Sequence, residues 1–198
     1  MAKKYNTDKG SPTFGSQFNN MWRHHTYTNF YERQFGLSRK YIKNVFECGI
    51  GTTDTSLVSH MGPTGSPGAS LRMWRDYFPN AKIVGVDIDP KTMFSEPRIE
   101  TAVMDQLDKS SVEGVFNKLN RKFDIIIDDG LHTLEAAKSL SSVALNYLES
   151  DGLYIVEDIW HSHVDMYEEW AESTGKSYDI IEFEPSPNNT YILVFRNI

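Results

Sequence analysis

The stretch "NVFECGIGTTD", residues 44–54, joins an apolar strand to a glycine turn. Such a run is typical of a buried parallel strand, and Glu47-x-Gly49-x-Gly51 lies where this strand should end. In an open α/β sheet, ligands bind beyond the carboxyl ends of the strands, where glycines let the backbone approach them. The dinucleotide fingerprint would need a third glycine at position 54. Because Asp54 stands there, NAD and FAD fit poorly, and Glu47 favours a cationic ligand.

Short apolar runs alternate with segments of helical period along the chain. The predicted strands are 44–50, 82–88, 98–104, 123–127 and 153–157, and the predicted helices are 69–78, 111–119 and 133–148. This alternation favours an α/β fold with a mostly parallel sheet and right-handed crossovers. Two further strands, 178–184 and 190–196, are only five residues apart and should form a C-terminal antiparallel hairpin. The total is a seven-stranded sheet.

The length of 198 residues suits one domain. We expect residues 1–40 to form an N-terminal helical segment and residues 41–198 the α/β core. Aromatic residues at helical spacing within 14–36 favour packing against the core, although a lid over the site is compatible with the same spacing. The loop 59–70, which holds three glycines and two prolines, has a length typical of functional loops.

Charge and composition exclude several functions. Lys plus Arg is 20 against 27 Asp plus Glu, a formal net charge of −7, so we expect no nucleic-acid partner. No apolar run approaches the ~20 residues that span a bilayer, and the N-terminus lacks the apolar stretch of a signal peptide. One cysteine, Cys48, excludes an internal disulfide and fits a reducing, cytoplasmic location. We therefore expect no membrane partner either.

Polar side chains also end the second and third predicted strands. Asp87 ends the second, where a carboxylate can accept both hydroxyls of a ribose. Asp105 and Gln106 follow the third, where they can meet the edge of a purine. Three consecutive strands that end in carboxylates favour a bound nucleoside over a purely structural domain.

A second acidic group follows the fourth and fifth strands. "FDIIIDDGLH" (123–132) ends in Asp128 and Asp129, and "IVEDIW" (155–160) holds Glu157 and Asp158. The two strands should be adjacent and parallel, so these carboxylates converge and favour a bound cation. Oxygen ligands indicate a hard ion, Mg²⁺ first, with Mn²⁺ or Ca²⁺ as alternatives. His132 could cap the next helix, but beside these carboxylates we favour it as a general base.

Together these motifs resemble the class I S-adenosylmethionine-dependent methyltransferases, which have a Rossmann-like fold. The resemblance covers about residues 44–198, and Thr53 departs from it at the position where many members carry a third glycine. "FDIIIDDGLH", "YIVEDI" and residues 68–90 are similar to the metal-dependent sugar O-methyltransferases of the macrocin and mycinamicin type. "TDKG" (7–10) and "HTYTNFYERQF" (25–35) resemble the leading region of the same group.

The resemblance implies a role for each matched residue. Asp129, Glu157 and Asp158 would hold the metal, and His132 would be the base. Asp128 would face the cofactor, Ser70 would contact its carboxylate at the start of a helix, and Tyr27 and Tyr31 would help to enclose it. The implied residues on the S-adenosylmethionine side are Glu47, Gly49, Gly51, Ser70, Asp87, Asp105, Gln106, Asp128 and Tyr31.

The expected activity is Mg²⁺-dependent transfer of methyl from S-adenosylmethionine to a hydroxyl of a sugar or another polyhydroxylated small molecule. Two alternatives stay open: a metal-dependent enzyme of another class, such as a hydroxylase-like protein, and a cofactor-binding protein without chemistry. Larger members of the group carry an extra N-terminal domain, so a homo-oligomer could complete the acceptor pocket.

Overall fold

Eight strands form one mixed sheet with helices on both faces. The computed structural model of the chain describes residues 1–10, 26–183 and 190–197. The strands are β1 (Asn44–Cys48), β2 (Lys82–Asp87), β3 (Ser95–Glu96), β4 (Ile99–Val103), β5 (Phe123–Asp128), β6 (Leu148–Trp160), β7 (Ser177–Phe183) and β8 (Thr190–Arg196). The helices are α1 (Ala2–Tyr5), α2 (Tyr27–Phe35), α3 (Ala69–Tyr77), α4 (Lys109–Leu119), α5 (Leu134–Ala144) and α6 (Val164–Ser173).

The strand order is β3-β4-β2-β1-β5-β6-β8-β7. β1 pairs in parallel with β2 and β5, and β6 continues the parallel part beside β5. The chain builds outward in one direction through β2 and β4 and then in the other through β5 and β6. Because the order reverses at β1, the carboxyl ends of β1 and β5 form the topological switch point at which such sheets bind ligands, and the region beyond them is termed the crevice. The predicted α/β fold is confirmed, and so is its C-terminal hairpin, in which β8 pairs antiparallel with β6 and β7.

The sheet has eight strands rather than seven. The added strand is β3, which pairs antiparallel with β4 over two residues at the sheet edge. It is held by Thr101, whose Oγ1 accepts a hydrogen bond from the Phe94 N–H at 2.7 Å and donates one to the Phe94 carbonyl at 2.6 Å. Two residues are too few to show the alternation by which strands are recognised in a sequence.

Other boundaries moved for local reasons. α5 begins later than predicted because Thr133 caps it, its Oγ1 accepting from the Ala136 N–H at 3.2 Å. β6 begins at Leu148, earlier than predicted, and its pairing with β5 is interrupted between Leu148 and Leu153. α6 was not predicted. Of the predicted helical segment 14–36, only α2 falls within the described residues, because residues 11–25 lie outside them.

Alternating strand residues divide the core into two layers. One layer lies between the sheet and α2 and α3, and it includes Tyr31, Val45, Trp74, Ile127 and Ile155. The other lies under α4, α5 and α6. Within the described ranges, no helix combines the length and the apolar character that crossing a bilayer would require.

Gly49 is the position where the crevice depends most directly on glycine. Its φ is 85°, and a Cβ there would lie 2.0 Å from the Asp129 carbonyl oxygen.

We expect Gly49→Ala to lower the free energy of unfolding by about 3 kcal/mol or more, because backbone strain and a clash with main chain add. Urea denaturation checks this. Gly114→Ala in α4, where a Cβ has open space, is the control and should be neutral or stabilising by up to ~1 kcal/mol. Equal effects of the two changes on the free energy of unfolding would contradict the conclusion that position 49 requires glycine.

Candidate active site

Glycines and backbone amides shape the first wall of the crevice. Gly49 and Gly51 both have a φ of 85°, which lets the chain turn at the end of β1. The carboxylate of Asp87, at the end of β2, accepts hydrogen bonds from the backbone N–H groups of Ile50 at 3.1 Å and Asp89 at 3.0 Å. Asp87 is buried, and burial raises the pKa of its carboxyl although these amides oppose the shift. The side chain predicted to meet a ribose therefore also fixes the glycine turn.

The long loop before α3 is fastened to this wall. The Met61 N–H donates to the Thr52 carbonyl at 2.9 Å, and the Ser59 hydroxyl donates to the Gly130 carbonyl at 2.9 Å. The side chain of Met61 lies against Gly51, since a Cβ on that glycine would come within 2.5 Å of the Met61 methyl carbon. The predicted functional loop thus lies over the end of β1.

Three carboxylates face the same side of the sheet, toward α2 and α3. Glu47 is in register with Ile127, which is in register with Ile155, so these three residues share one face. Asp129 and Glu157 each follow by two residues and continue on that face. The carboxyl ends of β1, β5 and β6 therefore each contribute one carboxylate to a common volume.

The ammonium of Lys9 lies among these three carboxylates. Its Nζ is 2.6 Å from Asp129 Oδ2 and 3.4 Å from Glu47 Oε1, and it also forms a close ion pair with Glu157 Oε2. Only 1% of the Lys9 side chain is exposed. Burial lowers the pKa of Lys9, but attraction by Asp129, Glu157 and Glu47 outweighs burial and holds it well above its ordinary value. Lys9 lies within "TDKG" but was not predicted to have a role, because a lysine in an N-terminal segment carries no signal of burial by itself.

Helices α2 and α3 supply neutral hydrogen bonds to the same carboxylates. The Tyr31 hydroxyl donates to Glu157 Oε1 at 2.6 Å, and Trp74 Nε1 donates to Glu47 Oε2 at 2.8 Å. The Tyr31 and Trp74 rings also pack together, with centroids 4.7 Å apart. Burial raises the pKa of Glu47 to about 7, while Lys9, the nearby Ser70 hydroxyl and the hydrogen bond from Trp74 act in the opposite direction. Ser70, predicted to contact the cofactor, thus lies beside Glu47.

A second group of ligand atoms forms where β6 departs from regular geometry. The pairing of β6 with β8 shifts between Val156 and Ile159, and Asp158 within this bulge has a φ of 59°. The Tyr27 hydroxyl donates to Asp158 Oδ1 at 2.5 Å. One ligand atom each of Asp129, His132 and Asp158 lies within 4.8 Å of the other two. This triad is the described cluster whose spacing suits a metal ion.

His132 has two unusual features. Its φ of 57° is rare for a residue with a side chain and is found mainly in turns and functional sites. Its Nδ1 is buried and has no hydrogen-bond partner among the described residues. The helix cap is Thr133, so the alternative role of His132 as a cap is wrong. Burying an unpaired ring nitrogen is costly, which favours a ligand at this position.

Asp128 points to the other face of the sheet. Its carboxylate accepts from Gln106 Nε2 at 2.6 Å and from the Tyr154 hydroxyl at 3.0 Å, and burial raises its pKa. Gln106 Oε1 in turn accepts from the Leu131 N–H at 3.1 Å. Asp105 Oδ1 accepts from the Leu107 N–H at 2.9 Å. These side chains therefore brace the turns after β4 and β5, and their predicted contact with a cofactor stays a prediction.

The predicted site residues thus fall into three groups: the carboxylates around Lys9, the triad with His132, and the side chains that brace the turns after β4 and β5. Asp158 joins His132, Glu157 joins Glu47 beside Lys9 and Tyr31, and Asp129 belongs to both of these groups. Exposed apolar residues were also missed: Ile88 directly after β2 is 51% exposed, and Leu107 beyond β4 is 47% exposed. Isolated apolar residues next to charged ones give no periodic signal in a sequence.

Comparison of the whole fold with solved structures identifies its class. The MycE methyltransferase from the mycinamycin biosynthetic pathway, solved in complex with Mg, S-adenosylhomocysteine (SAH) and mycinamycin VI, matches 99% of this chain and 54% of its own, with a TM-score of 0.71 and 24% sequence identity. The chain therefore has the fold of the class I methyltransferases.

Sequence comparison narrows the relationship. The chain is 37% identical over 142 residues to the 8-demethyl-8-alpha-L-rhamnosyl tetracenomycin-C 2'-O-methyltransferase of Streptomyces olivaceus, a match over 72% of this chain and 35% of that protein. It is 32% identical over 139 residues to the mycinamicin VI 2''-O-methyltransferase of Micromonospora griseorubida, over 70% and 33% respectively. No family model matches the chain. The predicted resemblance to sugar O-methyltransferases is confirmed, and the matches span about a third of the length of these two relatives.

The raised pKa of Glu47 predicts a pH-dependent stability. The folded protein holds the Glu47 proton up to a pH of about 7, whereas an unfolded glutamate releases it near 4.3. The contribution of this group to stability is therefore complete below that pH and is lost as the pH rises toward 7. Relative to wild type, Glu47→Gln should gain up to about 3 kcal/mol of unfolding free energy between pH 4.5 and 7.

Denaturant unfolding of both proteins at several pH values measures this difference. Because other titrating groups are common to both proteins, they largely cancel. Glu182→Gln, in β7, is the control, and its difference from wild type should not change with pH in this way. If the difference in unfolding free energy between Glu47→Gln and wild type does not change with pH, the Glu47 pKa is not raised.

Proposed function

We propose that the chain is an S-adenosylmethionine-dependent and Mg²⁺-dependent O-methyltransferase that acts on a sugar hydroxyl of a glycoside. The observation that carries the proposal is the convergence of Asp129, His132 and Asp158 beyond the glycine turn. The named relatives, which methylate sugars of tetracenomycin and mycinamicin compounds, support it. A cytoplasmic location is part of the same proposal, because the buried Cys48 is a free thiol.

The donor atoms fit a divalent cation. Ligands on opposite sides of a Mg²⁺ ion are about 4.2 Å apart, so atoms already within 4.8 Å of one another need only small shifts. Asp129 and Asp158 would hold the ion, since Mg²⁺ prefers oxygen ligands. Glu157 would be a third ligand only by sharing an oxygen that now accepts from Tyr31 or Lys9. The imidazole of His132 stays free for proton transfer.

The cofactor would lie along the ends of β1, β2 and β4. Gly49 and Gly51 form the turn beside it, Asp87 can accept its ribose hydroxyls, and the exposed Ile88 and Leu107 offer an apolar surface for a purine ring. Glu47 places an acidic group on the side where the cofactor carries positive charge. Glu47, Ser70, Asp105, Gln106, Asp128 and Tyr31 remain predicted contacts or supports of this pocket.

An aromatic side chain is available for the acceptor. Residue 190 of β8 is in register with Trp160 on one side and with Phe183 on the other, so the side chains of Trp160 and Phe183 share a face. Phe183 contacts Tyr27, with ring centroids 4.8 Å apart, and Tyr27 donates to Asp158. Trp160, 43% exposed, therefore lies on the same face as Asp158 and can stack on a sugar ring.

When bound, S-adenosylmethionine would supply the methyl group to the acceptor oxygen and leave as SAH, and a Mg²⁺ ion would make the acceptor hydroxyl more acidic. His132 would accept the proton of that hydroxyl. Asp129 and Asp158 would hold the ion, and Trp160 would orient the sugar. Alignment of the reacting atoms contributes most of the rate enhancement.

Cofactor and metal binding test the proposal without knowledge of the acceptor. We expect SAH to bind with a micromolar dissociation constant in calorimetry, and Mg²⁺ to give a separate heat that EDTA abolishes. Asp129→Asn should remove the Mg²⁺ heat, because it replaces a charged ligand by a neutral one. The matched change Asp165→Asn, in the exposed first turn of α6, should leave it intact. Absence of SAH binding with and without Mg²⁺ would exclude the methyltransferase function.

The role of His132 is tested by turnover. With macrolide and aromatic-polyketide glycosides that carry free sugar hydroxyls, we expect SAH formation together with a methylated product in mass spectrometry. His132→Ala should lower the turnover rate at least ~100-fold, the usual contribution of a general base, and leave SAH affinity within about threefold. The exposed His163 provides the control His163→Ala. An equal loss of SAH affinity in His132→Ala would make His132 structural, and SAH binding without turnover on any acceptor would favour a binding protein.

A further inference from the structure

The position of Lys9 has a consequence for how the carboxylates are neutralised. We propose that the Lys9 ammonium is a built-in counter-cation that holds Asp129 and Glu157 in place and competes with a divalent cation for Asp129. In this role Lys9 is a positioning residue. The competition rests on the proposed metal site, whereas the counter-cation role rests on contacts seen in the structure.

Lys9 is surrounded by carboxylates whose negative charge it balances. The acidic groups that face it are Glu47, Asp129 and Glu157, which lie in or directly after three different strands. Asp158 adds negative charge beside Asp129, since its ligand atom lies within 4.8 Å of that of Asp129. The Tyr31 hydroxyl on Glu157 is neutral. A buried carboxylate without a partner is strongly destabilising, so removal of Lys9 would leave Glu157 and Asp129 with unbalanced charge.

Lys9 and a Mg²⁺ ion would compete because both would bind the carboxylate of Asp129. Lys9 Nζ is 2.6 Å from Asp129 Oδ2, and a Mg²⁺ ion would bind a carboxylate oxygen at about 2.1 Å. Two cations that share one carboxylate lie only a few ångströms apart and repel each other. Lys9 therefore weakens the attraction of Asp129 for a divalent ion while it keeps the carboxylate in place.

The N-terminal segment that carries Lys9 is held in place by further contacts. The Lys9 carbonyl accepts from the Thr28 N–H at 3.1 Å, and Gly10 packs directly on Ala2. Lys4 in the same segment forms an ion pair with Asp76 at 2.8 Å and keeps 66% of its side chain exposed. Lys4→Met thus removes a lysine charge from this segment without touching the carboxylate cluster, which makes it a matched control for Lys9→Met.

The test compares Lys9→Met and Lys4→Met in the whole chain, without cofactor. In EDTA we expect Lys9→Met to lower the thermal midpoint by roughly 10 °C and Lys4→Met by less than about 2 °C. Added Mg²⁺ should recover much of the loss in Lys9→Met. In calorimetry, Lys9→Met should bind Mg²⁺ about tenfold more tightly than wild type, and Lys4→Met should not differ from wild type.

A second variant separates charge from packing. Lys9→Met combined with Glu157→Gln removes one carboxylate together with the ammonium, so its midpoint in EDTA should exceed that of Lys9→Met alone. If Lys9→Met fails to fold, folding of the double variant or rescue by Mg²⁺ supports the proposal, and failure of both contradicts it. An unchanged midpoint in Lys9→Met, or unchanged or weaker Mg²⁺ binding, would overturn it. If wild type binds no Mg²⁺, the proposed metal site fails, while the comparison in EDTA still tests the counter-cation.

Discussion

The pairing of one buried ammonium with carboxylates from β1, β5 and β6 is the interaction on which the site depends. Lys9 links the N-terminal segment to the centre of the sheet, and Tyr31 and Trp74 bring α2 and α3 to the same carboxylates. Charge buried at this depth persists only when it is paired and hydrogen-bonded. The segments that precede the sheet are therefore part of the site and do more than cover the core.

Backbone irregularity builds the second centre. A regular β6 would send Glu157 and Asp158 to opposite faces of the sheet. The bulge between Val156 and Ile159 and the positive φ of Asp158 change the direction of this carboxylate, and the positive φ of His132 does the same for the imidazole. Strained positions of this kind are held by their surroundings and concentrate at functional sites. Here they bring Asp129, His132 and Asp158 together on one side of the crevice.

The relationship to sugar O-methyltransferases concerns a part of those proteins. The sequence matches cover about a third of the length of the two relatives, and the structural match covers 54% of the MycE chain. What the described residues contain is the methyltransferase fold with its glycine turn, carboxylates and histidine. In the proposed function, Trp160 and the Asp158 centre would lie on the acceptor side, where specificity would depend on a few side chains of a shared fold.

The sequence by itself determined the alternation of strands and helices apart from β3 and α6, the parallel core with its terminal hairpin, and the glycine turn, because these follow from local periodicity and turn chemistry. It also identified Asp128, Asp129, His132, Glu157 and Asp158 as a group, since strand ends in a parallel sheet meet at one edge, and it assigned Glu47 to the glycine turn. Only the tertiary structure decided how this group divides, that Thr133 rather than His132 caps α5, and that β3 exists. It alone placed Lys9, because a contact across more than a hundred residues depends on how the N-terminal segment docks and leaves no periodic trace in the chain.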